Sequence, residues 1–378
     1  MHHTDEALQA FQKEAEVNPS DAAVYRQIAQ TLIWMGRRKD AIEVWRKLLK
    51  IAPDDADAAD RLSGALMADK QYAEAIRVLE PVLKEHPQSA DLLQNLGTAY
   101  MRSGEVEKGV AALKQALDLQ PSPLMRNNLA YELVERNLDL DLAEQLAVKA
   151  VQEQSEVTDL TRLEHLTLQG AQRTSSLGSY WDTLGWVYFR RGDLTKAEEY
   201  LRAAWDLLQA PTVGDHLGQL YEKQGKHAAA AKMYAQALKS TVPTGFGDPA
   251  GKSDIQARLR RAAGSEAEAA LAMKEAPEAL SRARTVHLPR IDKSGGSAEF
   301  FVLVSTGGKI EEVKFISGNE AFRAAEDALR NALAGKMNPH APLNAPVKLV
   351  RRGIVVCATA GTGCDIALMT PDTVRSVN

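Results

Sequence analysis

The chain has 378 residues, 45% hydrophobic and 25% charged, with a formal net charge of −4. That length holds two or three domains, and that composition excludes a wholly disordered chain. The interleaved charges exclude the basic field that recruits nucleic acid or an anionic membrane, and no run approaches the roughly 18 apolar residues of a membrane span.

The first segment, "MHHTDEALQAFQKEAEV", reads as a polar amphipathic helix without the apolar stretch of an export signal. Pro19 then opens a series, since Pro19, Pro53, Pro87 and Pro121 stand 34 residues apart. A period of 34 with two helices per period predicts a stack of helix pairs. Two columns of small residues run through it. The first reads Ala29, Ser63, Gly97, Ala130, Gly185 and Gly218; the second, early in each second helix, reads Ala41, Ala75, Gly109, Ala143, Ala197 and Ala230. Small side chains at these places let paired helices cross at short range. Gly36, Gly104, Gly192 and Gly225 fall between paired helices, where a left-handed residue ends a helix. Each proline stops a second helix, because it cannot donate the next helical hydrogen bond.

"YWDTLGWVYFRRGDLTKAEEYLRAAWDLL" carries Trp181, Leu184, Gly185 and Tyr188 at the spacing of a tetratricopeptide first helix. On these residues the chain resembles tetratricopeptide repeat proteins. The resemblance implies a mainly α solenoid. Six complete repeats are expected, near 22–55, 56–89, 90–122, 123–155, 178–210 and 211–242, the fourth with one extra residue in its turn. Ala7 and Phe11 occupy second-helix positions of a repeat whose first helix is absent. A bare repeat exposes the face meant for its neighbour, so the chain is expected to be the C-terminal portion of a longer protein; the alternative is that the lone helix is itself a cap.

Between the fourth and fifth repeats, "VTDLTRLEHLTLQGAQRTSSLGS" predicts an inserted helix from Asp159 to about Gln172, followed by a Ser/Gly loop. After the sixth repeat, "TGFGDPAGKSDI" ends in the Gly-Lys-Ser of a phosphate-cradling loop. The loop needs a glycine at position 246, where Phe246 stands, and a preceding strand, where a repeat helix stands. Nucleotide binding is excluded, and residues 243–283 are expected as a linker with helical segments at 254–261 and 266–283.

From Arg284 the period changes. "AEFFVLVS" and "IEEVKFIS" read as strands joined by "TGGK"; a helix with Phe322, Ala325, Leu329 and Leu333 on one stripe follows. "VKLVRRGIVVCATAGTGCDIALMTP" adds two strands, and "RTVHLPR" can precede them all as a further one. Residues 284–378 are thus expected as a small α+β layer. The run "FFVLVSTGGKIEEVKFISGNEAFRAAEDAL" resembles the TonB C-terminal-type domain, from which the later Cys-bearing hairpin departs. "YWDTLGWVYFRRGDL", "VGDHLGQLYEKQGK", "LVRRG" and "VRSVN" resemble a group of uncharacterised bacterial proteins in which a transglutaminase-like region precedes the repeats. That resemblance implies that any catalytic region lies upstream, and it carries no catalytic residue onto this chain.

Cys357 and Cys364 fall opposite each other if the hairpin turn centres on Ala360-Gly361. Both a disulfide and a reduced pair fit that spacing; a zinc knuckle does not. No grouping of histidines or carboxylates reads as catalytic or metal-binding, and no cofactor is expected. The first helices offer a binding groove instead. Its inward positions are Arg26 and Gln30, Asp60, Gln94 with Asn95 and Thr98, Asn127 with Asn128 and Tyr131, Asp182 with Trp186 and Phe189, and Asp215 with Gln219. Amides can both donate to and accept from a peptide backbone, and the aromatics supply apolar area at low entropic cost. The expectation is therefore a non-enzymatic scaffold that holds a protein or peptide segment in that groove, with the C-terminal sheet as a second contact. The alternative is an accessory module of a transglutaminase-like or peptidase-like enzyme. Location follows from the parent: the periplasm or cell envelope if the chain derives from an exported protein, the cytoplasm otherwise.

Overall fold

A computed structural model describes residues 2–240, 249–291, 295–337, 341–342, 346–358 and 363–371. Most of the Pro/Gly stretch after residue 240, the turn at Ala360-Gly361 and the terminal "VRSVN" lie outside the described residues. The chain divides into two units, Met1–Glu132 and Leu133–Asn378.

The first unit is a run of antiparallel helices: α1 (His2–Val17), α2 (Ala22–Trp34), α3 (Arg38–Ile51), α4 (Ala56–Ala68), α5 (Tyr72–Glu85), α6 (Ala90–Ser103), α7 (Val106–Leu119) and α8 (Pro123–Glu135), inside which the division falls. Each first helix starts on a short polar cap. Asp21, Asp55, Ser89 and Ser122 accept from the backbone N–H groups of Ala23, Ala58, Leu92 and Met125, each cap contributing about 1 kcal/mol. Between the paired helices Gly104 is left-handed at φ 96°, and Lys70 takes the same region at φ 59°. The helix pair imposes that turn, and glycine only lowers its cost. The small-residue columns are where the helices touch: Ala29, Ser63, Ala41 and Ala75 have no exposed surface. Trp45, Leu48, Leu62, Leu66 and Leu79 fill the core around them, and Leu8 of α1 is buried against it with Phe11 partly so. The half repeat thus packs as a second helix.

The second unit continues with α9 (Leu140–Asp159), a 3-10 turn (Leu163–His165), α10 (Leu168–Arg191), α11 (Leu194–Leu208), α12 (Pro211–Lys223), α13 (His227–Lys239), α14 (Pro249–Ala263) and α15 (Glu266–Arg284). The separate inserted helix is not formed. The insertion lengthens its neighbours instead, and α10 runs 24 residues through the serines and Gly178 without a break. Thr167 caps it, its Oγ1 accepting from the Gly170 N–H at 3.0 Å. Ala171, Thr174, Leu177 and Gly178 are buried, and they continue the Trp181–Leu184 stripe at helical spacing. That burial outweighs the weak helix propensity of serine and glycine. Residues 249–284, expected as helical segments of a linker, form two helices that pack on α13. Ile255, Leu259, Ala269 and Ala276 are buried. Gly251-Lys252-Ser253 lies within α14, where no phosphate loop can form.

Five antiparallel strands follow: β1 (Thr285–Pro289), β2 (Gly296–Ser305), β3 (Ile310–Gly318), β4 (Lys348–Cys357) and β5 (Gly363–Met369), in the order β1-β5-β4-β2-β3. A 3-10 turn (Glu320–Ala325) and α16 (Glu326–Leu333) bury Phe322, Leu329 and Leu333. Elsewhere on the sheet Leu303 and Val350 pack on Leu163, with Leu166 and Phe301 beside them. The Val350 N–H donates to Thr174 Oγ1 at 3.0 Å, Lys348 Nζ to the Asp159 carbonyl at 2.8 Å and the Leu163 N–H to Glu312 at 2.7 Å. The insertion is therefore the seat of the sheet. Cys357 and Cys364 are register partners on β4 and β5, joined by a disulfide with Cα atoms 4.2 Å apart.

Candidate functional site

In the first unit, equivalent positions of α2, α4, α6 and α8 share one face, because residues three and four apart on a helix are neighbours. Several polar and charged groups on that face pair between adjacent first helices. Arg26 bonds the Asp55 cap of α4 and stands 3.7 Å from Asp57. Asn95 Nδ2 on α6 donates to Asp60 Oδ1 on α4 at 2.7 Å, and Arg102 on α6 reaches Glu132 on α8 at 2.8 Å. The guanidinium of Arg102 also lies 5.8 Å from the Tyr131 ring centre. Burial pushes the Asp60 carboxyl above its usual range, and the neighbouring Asp91 and Asp57 carboxylates push it further against the opposing charge of Arg61.

The uncharged groups of the same face behave differently. Gln30, Thr98 and Asn128 are half-buried and, among the described residues, take no side-chain hydrogen bond within the chain. Gln94 Oε1 and Asn127 Oδ1, at equivalent positions of α6 and α8, are buried without a hydrogen-bond partner. Three features of this face escape the residue-by-residue reading. Trp34 is 75% exposed at the end of α2, next to Ile33 at 38%. Gly64 occupies on α4 the position that Gln30 and Thr98 occupy on α2 and α6, and a Cβ there would meet no atom within 4 Å. The spacing Gln30, Ile33, Trp34 was the available signal for the first, since it puts all of them on one face.

In the second unit the predicted positions are used for packing. Trp186 is only 3% exposed, because its ring is stacked between Phe189 at 4.5 Å and His216 at 4.1 Å, with Arg190 over it at 4.9 Å. Its expected role as an accessible hot spot is thus replaced by a structural one. Asp182 is buried and bonded to His216 Nδ1 at 2.9 Å. Burial of His216 opposes its charged form, but the Asp182 carboxylate and its hydrogen bond outweigh that and hold the ring pKa above its ordinary value. Asp215 is held by Arg258 of α14 and by Gln219, and burial raises its carboxyl. The Asp182–His216 pair lies 34 residues apart, one repeat period, a signal that scanning histidines one at a time misses.

Beside the 3-10 turn and β3, a cleft of about 540 Å³ is lined by Val313, Lys314, Arg323, Glu326 and Arg330. β3 is an edge strand, hydrogen-bonded to β2 alone in the sheet. Among the described residues no group of three or more His, Cys, Asp or Glu side chains is placed to hold a metal ion, and no helix is long and apolar enough to cross a membrane.

Family models of the tetratricopeptide repeat match residues 1–64, 66–130, 178–207 and 215–246. Among solved structures, a tetratricopeptide repeat protein from Parabacteroides merdae is 14% identical at a TM-score of 0.54, covering 68% of this chain and 90% of its own. That likeness shows the fold. MamA residues 41-end from Desulfovibrio magneticus RS-1 is 30% identical over 39% of this chain and 83% of its own, at a TM-score of 0.36. YrrB, described as a TPR protein with an unusual peptide-binding site, is 23% identical over 58% of this chain and 100% of its own, at a TM-score of 0.39. No curated protein matches the chain.

Proposed function

As the chain belongs to the tetratricopeptide repeat family over residues 1–130 and 178–246, we propose that it is a non-enzymatic scaffold that holds a peptide or protein segment on the first-helix face of its first unit. One observation carries the reading. Arg26 and Arg102 on that face are taken up by Asp55 and Glu132, while Gln30, Thr98 and Asn128 keep their hydrogen-bonding groups unused, and Gln94 and Asn127 keep amide oxygens without a donor. A buried acceptor left unpaired costs about 1–3 kcal/mol, which a peptide N–H removes on binding. Display panning of random peptides on the full chain tests this, with the Gln94→Ala/Asn128→Ala variant as counter-screen. Peptides kept by the wild type and lost by the variant support the reading; equal retention overturns it.

The C-terminal sheet supports a likeness to the TonB C-terminal-type domain through its hairpin, following helix and edge strand, and β3 offers a second contact by strand addition. The Cys357–Cys364 disulfide favours an oxidising compartment, the bacterial periplasm or envelope. Fractionation of native cells with an antibody against residues 284–378 decides between that and the cytosol.

A further inference from the structure

Gly64 sits in the interior of α4, where a glycine costs about 0.5–1 kcal/mol relative to alanine. The glycines of the small-residue columns have a packing reason: a Cβ on Gly97 would stand 3.0 Å from the Gly109 carbonyl oxygen. Gly64 has none, for its Cβ would meet nothing within 4 Å. The row of side chains formed by Gln30, Thr98 and Tyr131 is therefore interrupted on α4 by a notch that exposes helix backbone. On the α2 side of the notch stand the exposed Trp34 and Ile33. Towards α6 stand two carboxylates, Asp60 one turn before the notch on α4 and Asp91 on α6, that form no ion pair among the described residues. Asp91 is exposed and unpaired, and Asp60 takes only the amide of Asn95. Arg26 is bonded to Asp55, and Arg61, whose charge also acts on Asp60, is bonded to Asp57 at 3.0 Å.

We propose that the notch at Gly64 seats the backbone of a short extended peptide that carries an apolar side chain against Trp34 and a lysine or arginine against Asp60 and Asp91. The proposal rests on the groove reading above and adds the class of its ligand. Charge complementarity selects the occupant, since an acidic segment would meet two uncompensated carboxylates and a basic one would neutralise them. Trp34 stands one turn beyond the level of the notch and Asp60 one turn before it, so an axial offset of about 12 Å and helix axes about 8–10 Å apart separate them by about 15 Å; three residues of extended chain, about 10 Å, together with the reach of a lysine side chain, span it. A backbone passing this close is what an absent side chain permits.

The test uses the full chain and two probes, acetyl-Lys-Ser-Ser-Phe-Ser-Ser-Lys-amide and its counterpart with glutamate for each lysine. Both read the same in either chain direction. Calorimetric titration is expected to show the lysine peptide binding at least about tenfold more tightly than the glutamate peptide, and weakening as salt is raised. Gly64→Leu, Trp34→Ala and Asp91→Asn should each weaken it by about tenfold. All three sites are open or exposed, so melting temperatures at or above that of the wild type will show that the fold is intact. Equal or tighter binding of the glutamate peptide overturns the basic class while leaving the groove reading standing. Unchanged affinity in Gly64→Leu overturns the notch as the seat. Binding of neither peptide overturns the proposal, and the panning experiment then judges the groove separately.

Discussion

Alanine at Gly218 would place a methyl carbon 2.2 Å from Cε1 of Tyr234. The Tyr234 ring has no exposed surface, and its hydroxyl donates to Glu222 at 2.5 Å, which in turn accepts from Arg261 at 3.1 Å. The ring cannot move aside without parting α12 from α13 or breaking that chain of bonds. Overpacking costs about 1–3 kcal/mol, and a 2.2 Å approach to a tethered ring stands at the upper end, about 2–3 kcal/mol, of which the helix propensity of alanine returns about 1 kcal/mol. The net expectation for Gly218→Ala is a loss of about 1–2 kcal/mol, or roughly 2–8 °C in melting temperature for a unit of this size. The same exchange at Gly64, where the methyl meets nothing within 4 Å, should instead gain about 0.5–1 kcal/mol. Circular-dichroism melts of wild type, Gly218→Ala and Gly64→Ala compare one chemical change in two surroundings. If Gly218→Ala melts at or above the wild type, the close approach of α12 and α13 is wrong and the small-residue column loses its explanation.

The raised pKa of His216 makes a pH prediction. Its bond with Asp182 contributes stability that is fully present below the unfolded pKa of about 6.5 and is lost as pH rises through the higher folded value. The stability difference between wild type and His216→Gln, from urea unfolding, should therefore shrink as pH rises; a difference that stays flat would remove the pair's role. Arg102→Ala leaves Glu132, whose side chain is 5% exposed, without its 2.8 Å partner, and should cost about 1–3 kcal/mol. A double-mutant cycle with Glu132→Gln that shows no coupling would contradict the contact. The disulfide closes a short loop with a sequence separation of 7, which by the chain-entropy relation stabilises by about 2 kcal/mol. Thiol titration of the unreduced protein should find no free cysteine, and Cys357→Ala/Cys364→Ala should unfold more easily by that amount; two reactive thiols would refute it.

The repeat architecture is legible because it is periodic. Pro19 to Pro121 mark the ends of second helices, and Ala29 to Gly218 mark the crossings. Both follow from local steric rules that act identically in every repeat. The insertion is not legible for the opposite reason. Ser175, Ser176 and Gly178 read as a loop by propensity, and only the burial of Thr174 and Leu177 against distant partners makes them helical. The groove falls between these cases. The register locates its positions, yet whether a side chain there is free depends on what stands one helix away. Trp186 vanishes under His216, whereas Trp34 has no such neighbour.

The seating of the sheet on the lengthened α9 and α10 bears on how the protein can be dissected. A fragment cut at residue 284 would carry Phe301, Leu303 and Val350 without the leucines that cover them, and the truncated repeats would expose Leu163 and Leu166 in turn. Neither half keeps its own surface chemistry. Moving the sheet as a portable module would require transplanting the stretch from Asp159 to Thr174 with it, so that insertion and sheet form a single graft although about 110 residues of chain separate them.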